Sequence, residues 1–253
     1  MALIAPALLA ADFARLGEAL DIIESAGATM VHVDVMDGHF TSQITLGQPV
    51  VKRLRQRTRL MLDVHLLIER PERYAAQFVE AGADRLAVHP ESTTQLHRVL
   101  ELARARGAKV GVALNPATAV GSVVDVLGQV DFLAVLGGDA GADLGQPLVR
   151  SDGGQSSFEH GQGPESEKSH EGSEPQPVRA MPIPAWLGKI RAAVKARREQ
   201  KLGFAIVAEA GVTEENCREL AVAGADILVA GSAIFHTDDP EARLRGLVRL
   251  AAI

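Results

Sequence analysis

Histidine and aspartate alternate with apolar residues in two stretches of this chain. Residues 31–40 read V-H-V-D-V-M-D-G-H-F, and residues 60–67 read L-M-L-D-V-H-L-L. Alternation with a period of two is typical of a β-strand, in which side chains two positions apart share a face. His32, Asp34 and Met36 therefore share one face of the first strand, and Asp63 and His65 share one face of the second.

A carboxylate beside an imidazole in a buried strand is costly unless the two groups bind a metal, each other or a substrate. Two such strands could supply His32, Asp34 and His65 as ligands of one divalent ion, and these donors suit Zn²⁺, Fe²⁺ or Mn²⁺ more than Mg²⁺. The alternative is that each is a hydrogen-bonded polar residue of the core. The presence of two such strands favours a site.

Strand-like and helix-like patterns alternate along most of the chain. Four junctions place a glycine after a helix, then a small and a polar residue entering a strand: 26–29, 81–84, 106–109 and 223–226. This is the turn chemistry of repeated βα units. Strands are predicted over 3–9, 29–36, 60–66, 84–89, 109–114, 130–136, 204–209 and 226–230. The helix after the fifth strand is predicted to open at Pro116 and to run through Leu127. With eight units in 253 residues, we predict an α/β fold, a single-domain (β/α)8 TIM barrel.

The alternation breaks after the sixth strand. Residues 151–177 contain six acidic residues, one lysine, and Phe158 as the only large apolar side chain. Such a segment cannot bury enough apolar surface to offset its ordering entropy. We therefore predict a long, low-complexity, flexible insertion over 138–183, within one domain that spans residues 1–253.

Composition excludes several classes of protein. The net charge of −6 argues against nucleic acid as a partner, and no apolar run approaches the roughly 18 residues that span a bilayer. No basic residue precedes Arg15, so the apolar start lacks the basic region of a signal peptide. Cys217 is the single cysteine, which excludes an internal disulfide and suits a reducing cytoplasm. The sequence leaves a homo-oligomer open.

In such a barrel the active site lies at the carboxyl ends of the strands, and phosphate commonly binds after strands seven and eight. Gly211 follows the seventh strand, and Gly231 and Ser232 follow the eighth. Backbone N–H groups at such turns can hold an anion, although the glycines could serve tight turns alone. Glu209 ends strand seven and would meet the other polar residues on the barrel axis. Asp34 and Glu209 across a metal suit proton abstraction next to a carbonyl and its return from the other face.

At these residues the chain resembles the ribulose-phosphate 3-epimerase family. The resemblance rests on A-P-A-L-L-A-A-D-F-A-R-L-G (5–17), V-H-V-D-V-M-D-G-H-F (31–40), L-D-V-H-L (62–66), L-N-P (114–116) and V-A-G-S-A-I-F (229–235). It implies a barrel enzyme that interconverts ribulose 5-phosphate and xylulose 5-phosphate. The implied metal ligands are His32, Asp34 and His65, with Asp34 also an acid–base residue. The implied substrate contacts are His65, Met36 and, for the phosphate, Gly211, Gly231 and Ser232.

The chain departs from the family pattern at several positions. Ala7 replaces a serine, and Glu209 replaces an aspartate. The extra methylene of glutamate would displace the carboxylate by roughly an ångström and could cost on the order of 100-fold in rate. Leu67 and Leu136 replace methionines, and the family's strand-six loop is not recognisable in place.

Two functions follow from this pattern. The favoured one is a metal-dependent epimerase of a phosphorylated ketose, because the His-Asp-His set is intact. The alternative is a catalytically impaired barrel that binds a sugar phosphate or a protein partner. A decarboxylase or aldolase is disfavoured because the expected lysine at the strand ends is absent. His89, at the end of strand four, is either a substrate contact or a rim residue.

Overall fold

The computed structural model describes residues 2–138 and 181–252. Eight strands, all paired in parallel, form one sheet in the order β1-β8-β7-β6-β5-β4-β3-β2. A single bridge between Ala7 and His32 joins its two ends into a ring. The strands are β1 Leu3–Pro6, β2 Met30–Met36, β3 Met61–Leu67, β4 Arg85–Val88, β5 Lys109–Leu114, β6 Phe132–Leu136, β7 Ala205–Glu209 and β8 Ile227–Ala230. The predicted (β/α)8 barrel is confirmed.

Helices cover the outside of the ring. They are α1 Leu16–Ser25, α2 Gln48–Arg57, α3 Ala75–Glu80, α4 Leu96–Arg104, α5 Ile183–Glu199, α6 Glu214–Ala223, α7 Ser232–Phe235 and α8 Pro240–Ala251. The glycines of the four predicted junctions have φ of 81°, 117°, 95° and 112°, the left-handed region that glycine adopts at helix ends. No helix in the two described ranges is long and apolar enough to cross a membrane.

The crossover after β5 differs from its prediction. It is a run of 3₁₀ turns over Val120–Gln129 rather than an α-helix that opens at Pro116. Gly121 and the β-branched pair Val123 and Val124 lower the propensity for a regular α-helix. The buried side chains of this run recur every three to four residues, so it covers the barrel as an α-helix would.

Two large apolar cores lie in the described part of the chain. The larger lies between the strands and the helices, and the smaller lies inside the ring and includes Ala5, Ala87, Ala113 and Phe132. In the inside core, β2 and β3 contribute His32, Asp34, Asp63 and His65, all buried.

The predicted insertion falls almost wholly outside the described residues, as does the low-complexity stretch 151–177. The described chain on its two sides comes together, because the Met181 N–H donates to the Gly137 carbonyl at 2.6 Å. The Ala2 N–H likewise donates to the Ala251 carbonyl at 3.1 Å. A backbone hydrogen bond therefore joins the two described ranges next to residues 139–180.

Candidate metal centre and active site

Four potential metal ligands from three strands meet inside the barrel. His32 and Asp34 come from β2, His65 from β3 and Glu209 from the last position of β7. One ligand atom from each lies within 4.8 Å of all the others, and all four residues are buried. Asp34 and His65 are partners in the β2–β3 register, which sets them side by side. The structure thus brings together the four residues that the sequence singled out.

The distances identify which atoms face the centre of this cluster. His32 Nε2 lies 3.3 Å from both Asp34 Oδ1 and Glu209 Oε1. His65 Nδ1 lies 2.6 Å from Glu209 Oε1 and 3.6 Å from Asp34 Oδ1. The two imidazoles therefore present different nitrogens, Nε2 from His32 and Nδ1 from His65.

The cluster holds strongly shifted charges. Burial lowers the pKa of His65, but the carboxylates of Glu209 and Asp34 outweigh burial and raise the pKa to about 9. The same balance raises the pKa of His32 well above its ordinary value. Burial raises the pKa of Glu209, but the two histidines hold it well below its usual range, and the pKa of Asp34 is also lowered. These directions favour the imidazolium form of the histidines and the ionised form of the carboxylates, and a divalent cation could replace the two protons.

The donor set fits such a cation. Glu209 Oε2 is buried and has no hydrogen-bond partner among the described residues. An unsatisfied buried carboxylate oxygen is costly, and a cation is the partner that it lacks. Two imidazole nitrogens and two carboxylate oxygens match the ligands that Zn²⁺, Fe²⁺ and Mn²⁺ take.

A buried ion network supports His32 from below. Asp63 Oδ2 lies 3.0 Å from His32 Nδ1, and Asp63 Oδ1 lies 2.9 Å from Arg85 Nε. The Arg85 guanidinium stacks 3.9 Å above the centre of the Phe132 ring. Burial raises the pKa of Asp63, but Arg85 and His32 outweigh it, so the carboxylate stays ionised. A carboxylate on the far nitrogen of a ligating histidine fixes its tautomer and orientation.

Sequence reasoning assigned no role to this network. The alternating D-V-H pattern gave the only signal for Asp63, because it put that residue on the inner face of β3. Arg85 pairs with Asp63 across the β3–β4 register, which no local pattern reveals.

His89 lies beside His65 and not on the rim. It follows β4 and is 0% exposed, and its Nε2 lies 2.9 Å from His65 Nε2. The two rings stack with centroids 4.9 Å apart, and Phe40 from the β2–α2 loop covers His89 at the same distance. The predicted alternative of a rim residue is wrong, because His89 is buried between a metal-ligand candidate and the loop.

The β2–α2 loop closes one side of the cluster. The Thr45 hydroxyl donates to the Asp34 carbonyl at 2.8 Å and accepts from the Met36 N–H at 3.0 Å, which joins the loop to the end of β2. Met36 is buried against Leu67 and Phe40. The structure thus places Met36 at the same end of β2 as Asp34, within the wall of the barrel mouth.

The predicted anion loops follow β7 and β8, which are neighbours in the sheet. Gly211 has φ of 122°, and Ala210 before it has φ of 61°. Gly231 caps the short helix α7, which Ser232 opens. The indole of Trp186 lies beneath Gly211 and donates to the Val135 carbonyl at 3.0 Å. Both loops therefore sit at the same edge of the barrel as the cluster.

A ring of eight parallel strands with charged groups clustered at their carboxyl ends is the architecture of a TIM-barrel enzyme. The sequence profile of the Ribulose-phosphate 3 epimerase family matches residues 3–151 and 173–235. The chain therefore belongs to the ribulose-phosphate 3-epimerase family, and it is an isomerase of the epimerase class.

Individual proteins show the extent of the similarity. The chain is 36% identical to the ribulose-phosphate 3-epimerase of Bacillus subtilis (strain 168). The aligned 237 residues cover 93% of each chain. It is 36% identical over 247 residues to the chloroplastic ribulose-5-phosphate-3-epimerase of Arabidopsis thaliana, covering 97% of this chain and 75% of the plant protein. The structure of 3-hexulose-6-phosphate synthase from Salmonella typhimurium has a TM-score of 0.61, 16% identity and 98% coverage of each chain. That last likeness is one of fold alone.

Proposed function

We propose that this protein interconverts ribulose 5-phosphate and xylulose 5-phosphate by removing and returning the proton on the carbon next to the carbonyl. The observation that carries the proposal is the pair of buried, ionised carboxylates, Asp34 and Glu209, joined by two histidines in a chain of this family. The names of the relatives support the choice of substrate.

One divalent ion, Zn²⁺, Fe²⁺ or Mn²⁺, would be held by His32 Nε2, Asp34, His65 Nδ1 and Glu209. When bound, the ion supplies electrostatic stabilisation of the negative charge that develops on the substrate oxygens. The orphaned Glu209 Oε2 supports this assignment, since it is a buried acceptor that the described protein atoms leave unsatisfied.

Asp34 and Glu209 would share the proton transfers. One carboxylate takes the proton from one face of the substrate, and the other returns a proton to the opposite face. The two side chains suit this division because they come from β2 and β7, which the sheet order separates by β1 and β8. The longer side chain of Glu209 still reaches the cluster, with Oε1 2.6 Å from His65 Nδ1. The change from aspartate at this position therefore keeps a carboxylate in place.

The rest of the substrate would contact the barrel mouth. Gly211, Gly231 and Ser232 would bind the phosphate through the loops after β7 and β8, while His65 and Met36 would line the sugar. Trp186 is the single tryptophan of the chain and packs behind Gly211. We expect its fluorescence to change on titration with inorganic phosphate, which checks the phosphate assignment without catalysis.

The test of the reaction is proton exchange in D₂O, followed by NMR with ribulose 5-phosphate and protein loaded with Zn²⁺ or Mn²⁺. Deuterium at C3 together with xylulose 5-phosphate is the expected result. Deuterium without the epimer would contradict the role of one carboxylate. The absence of exchange with metal bound would favour a barrel that binds a sugar phosphate or a protein partner. Asp34→Asn and Glu209→Gln are the matched variants, each expected to reduce the rate by about 10²- to 10⁴-fold.

Location and assembly complete the proposal. A cytoplasmic location is a prediction from the sequence alone, and the sequence leaves a homo-oligomer open. The word chloroplastic in the name of the Arabidopsis relative describes that plant protein.

A further inference from the structure

The contact between His65 and His89 restricts where their protons lie. Two imidazole nitrogens 2.9 Å apart cannot both be bare and cannot both carry a proton, so one donates and the other accepts. If His65 uses Nδ1 toward a metal, as the distances to Glu209 and Asp34 indicate, its remaining proton is on Nε2. His89 Nε2 must then be the acceptor, which puts the proton of a neutral His89 on Nδ1.

The Nδ1 side of His89 faces a carboxylate. Glu91 Oε2 lies 3.5 Å from His89 Nδ1, an ion-pair distance at which Nδ1 makes no hydrogen bond. The Thr118 hydroxyl donates to the other oxygen of Glu91. His89 is fully buried, whereas Glu91 is partly exposed, with a third of its side chain accessible. A chain of polar contacts therefore runs from the cluster to the surface through His65, His89, Glu91 and Thr118.

No other described residue is hydrogen-bonded to His65 Nε2. The fixed ring stacking of 4.9 Å and the cover of Phe40 hold His89 in place against it. Partners of this kind on the far nitrogen of a ligand histidine orient the ring and set its basicity, and their loss typically costs 10- to 100-fold in metal affinity. Asp63 already fills that position for His32.

We propose that His89 and Glu91 are positioning residues that hold His65 with its proton on Nε2 and its Nδ1 open to the metal. His89 accepts from His65, and the Glu91 carboxylate, 3.5 Å from His89 Nδ1, favours the proton of His89 on that nitrogen electrostatically, without a hydrogen bond. The assignment rests on the proposed function only in taking His65 as a metal ligand.

The first experiment observes the hydrogen bond itself. In Zn²⁺-loaded protein with ¹⁵N-labelled histidine, we expect a scalar coupling between His65 Nε2 and His89 Nε2, and a slowly exchanging proton on the former. His89→Leu should abolish the coupling and speed exchange of that proton. His97→Leu is the control, because His97 lies on α4 and contacts Gln129. Absence of the coupling in the unmodified protein would overturn the proposal.

The second experiment measures affinity for Co²⁺ alone, by its visible absorption spectrum. His89→Leu should weaken binding about 10- to 100-fold. His89→Gln retains an acceptor and should recover most of that loss. Glu91→Ala should also weaken Co²⁺ binding. Because Glu91 is partly exposed, this variant replaces His89→Leu in the test if His89→Leu does not fold.

Unchanged Co²⁺ affinity and spectrum in both His89→Leu and Glu91→Ala would overturn the proposal. Neither experiment uses a sugar phosphate, so a failure of the epimerase assay leaves their results intact. Conversely, if the protein is an active epimerase and neither substitution changes its affinity for metal, the positioning role alone is refuted. Failure of the unmodified protein to bind Co²⁺ would refute both assignments.

Discussion

At the scale of the residue, Ala210 stands out because it has a side chain in a backbone conformation that favours glycine. Its φ of 61° lies in the left-handed region, directly after Glu209 and before Gly211. The Cβ of an L-residue costs about 1 to 2 kcal/mol there. The strain sits between a candidate catalytic carboxylate and a candidate phosphate loop, where a fixed backbone matters.

Replacing Ala210 with glycine should relieve that strain. We expect Ala210→Gly to raise the free energy of unfolding by about 1 kcal/mol, because the relief exceeds the added entropy of the unfolded chain. Urea denaturation measures the change. Ala192→Gly is the matched control at an exposed position inside α5, where the same substitution should lower stability by about 1 kcal/mol. A loss of stability in both variants would contradict the strain at Ala210.

Glu91 should give the protein a measurable acid sensitivity. Burial raises the pKa of Glu91, but its interactions with His89 and the Thr118 hydroxyl outweigh burial and lower the pKa from 4.5 to about 2. Since the folded-state pKa is below the unfolded one, the stabilising contribution is complete above pH 4.5 and is lost as the pH falls toward 2.

Comparison with Glu91→Gln isolates this contribution. The stability difference between the two proteins should be constant from pH 7 to 5 and should shrink as the pH falls to 3, in denaturation experiments with a chelator present. Thr118→Val removes one interaction and should give an intermediate curve. A difference that does not depend on pH would contradict the assignment.

The sequence could predict the residues of the cluster better than the residues that support it. His32, Asp34 and His65 lie in strands whose alternation is a local signal, and the β2–β3 register then places them together. The contact of Asp63 with Arg85 joins β3 to β4, and that of His65 with His89 joins β3 to the residue after β4. Such pairings depend on the register and closure of the ring, which short-range patterns do not contain.

At the scale of the element, Trp186 on α5 connects the helix layer to two loops of the barrel mouth. Its ring packs where a Cβ on Gly137 would stand, only 2.5 Å from the ring atoms, and a Cβ on Gly211 would lie 3.7 Å from the same ring. The indole hydrogen bond to Val135 fixes the ring, so it cannot move aside freely.

Gly137→Ala should therefore destabilise the protein by about 1 to 3 kcal/mol through overpacking. Because Trp186 also supports the Gly211 loop, the affinity for inorganic phosphate should fall as well. Gly121→Ala is the control, since its Cβ would meet no atom within 4 Å, and its stability should change by less than about 0.5 kcal/mol. Equal stability of the two variants would contradict the packing role of Trp186.

Element boundaries could be predicted where the capping chemistry is local. The strand Lys109–Leu114 has the limits that the sequence predicts, and the glycines of the four predicted junctions end their helices in the left-handed region. The crossover after β5 could not, because Pro116 resembles a helix start. The low helix propensity of Gly121 and of the pair Val123 and Val124 outweighs that start signal.

At the scale of the whole molecule, all eight strands of the described barrel lie outside residues 139–180. Replacing this segment with a four-residue Gly-Ser linker should preserve the fold. The shorter loop should also raise the free energy of unfolding by up to roughly 2 kcal/mol through lower closure entropy. Far-UV circular dichroism and urea denaturation measure both. A variant that is less stable than the full chain would show that the segment contributes contacts to the barrel.

Two close backbone contacts were described above, Ala2 with Ala251 and Gly137 with Met181. They would allow the order of the segments 2–138 and 181–251 to be exchanged in the sequence. A short peptide could join residue 251 to residue 2, and a new amino terminus could be placed at Met181 with Gly138 as the last residue. In such a circular permutant Glu209 would precede His32, Asp34 and His65 in the sequence. Spatially the four would be unchanged, so chain order could be separated from catalytic geometry in a single molecule.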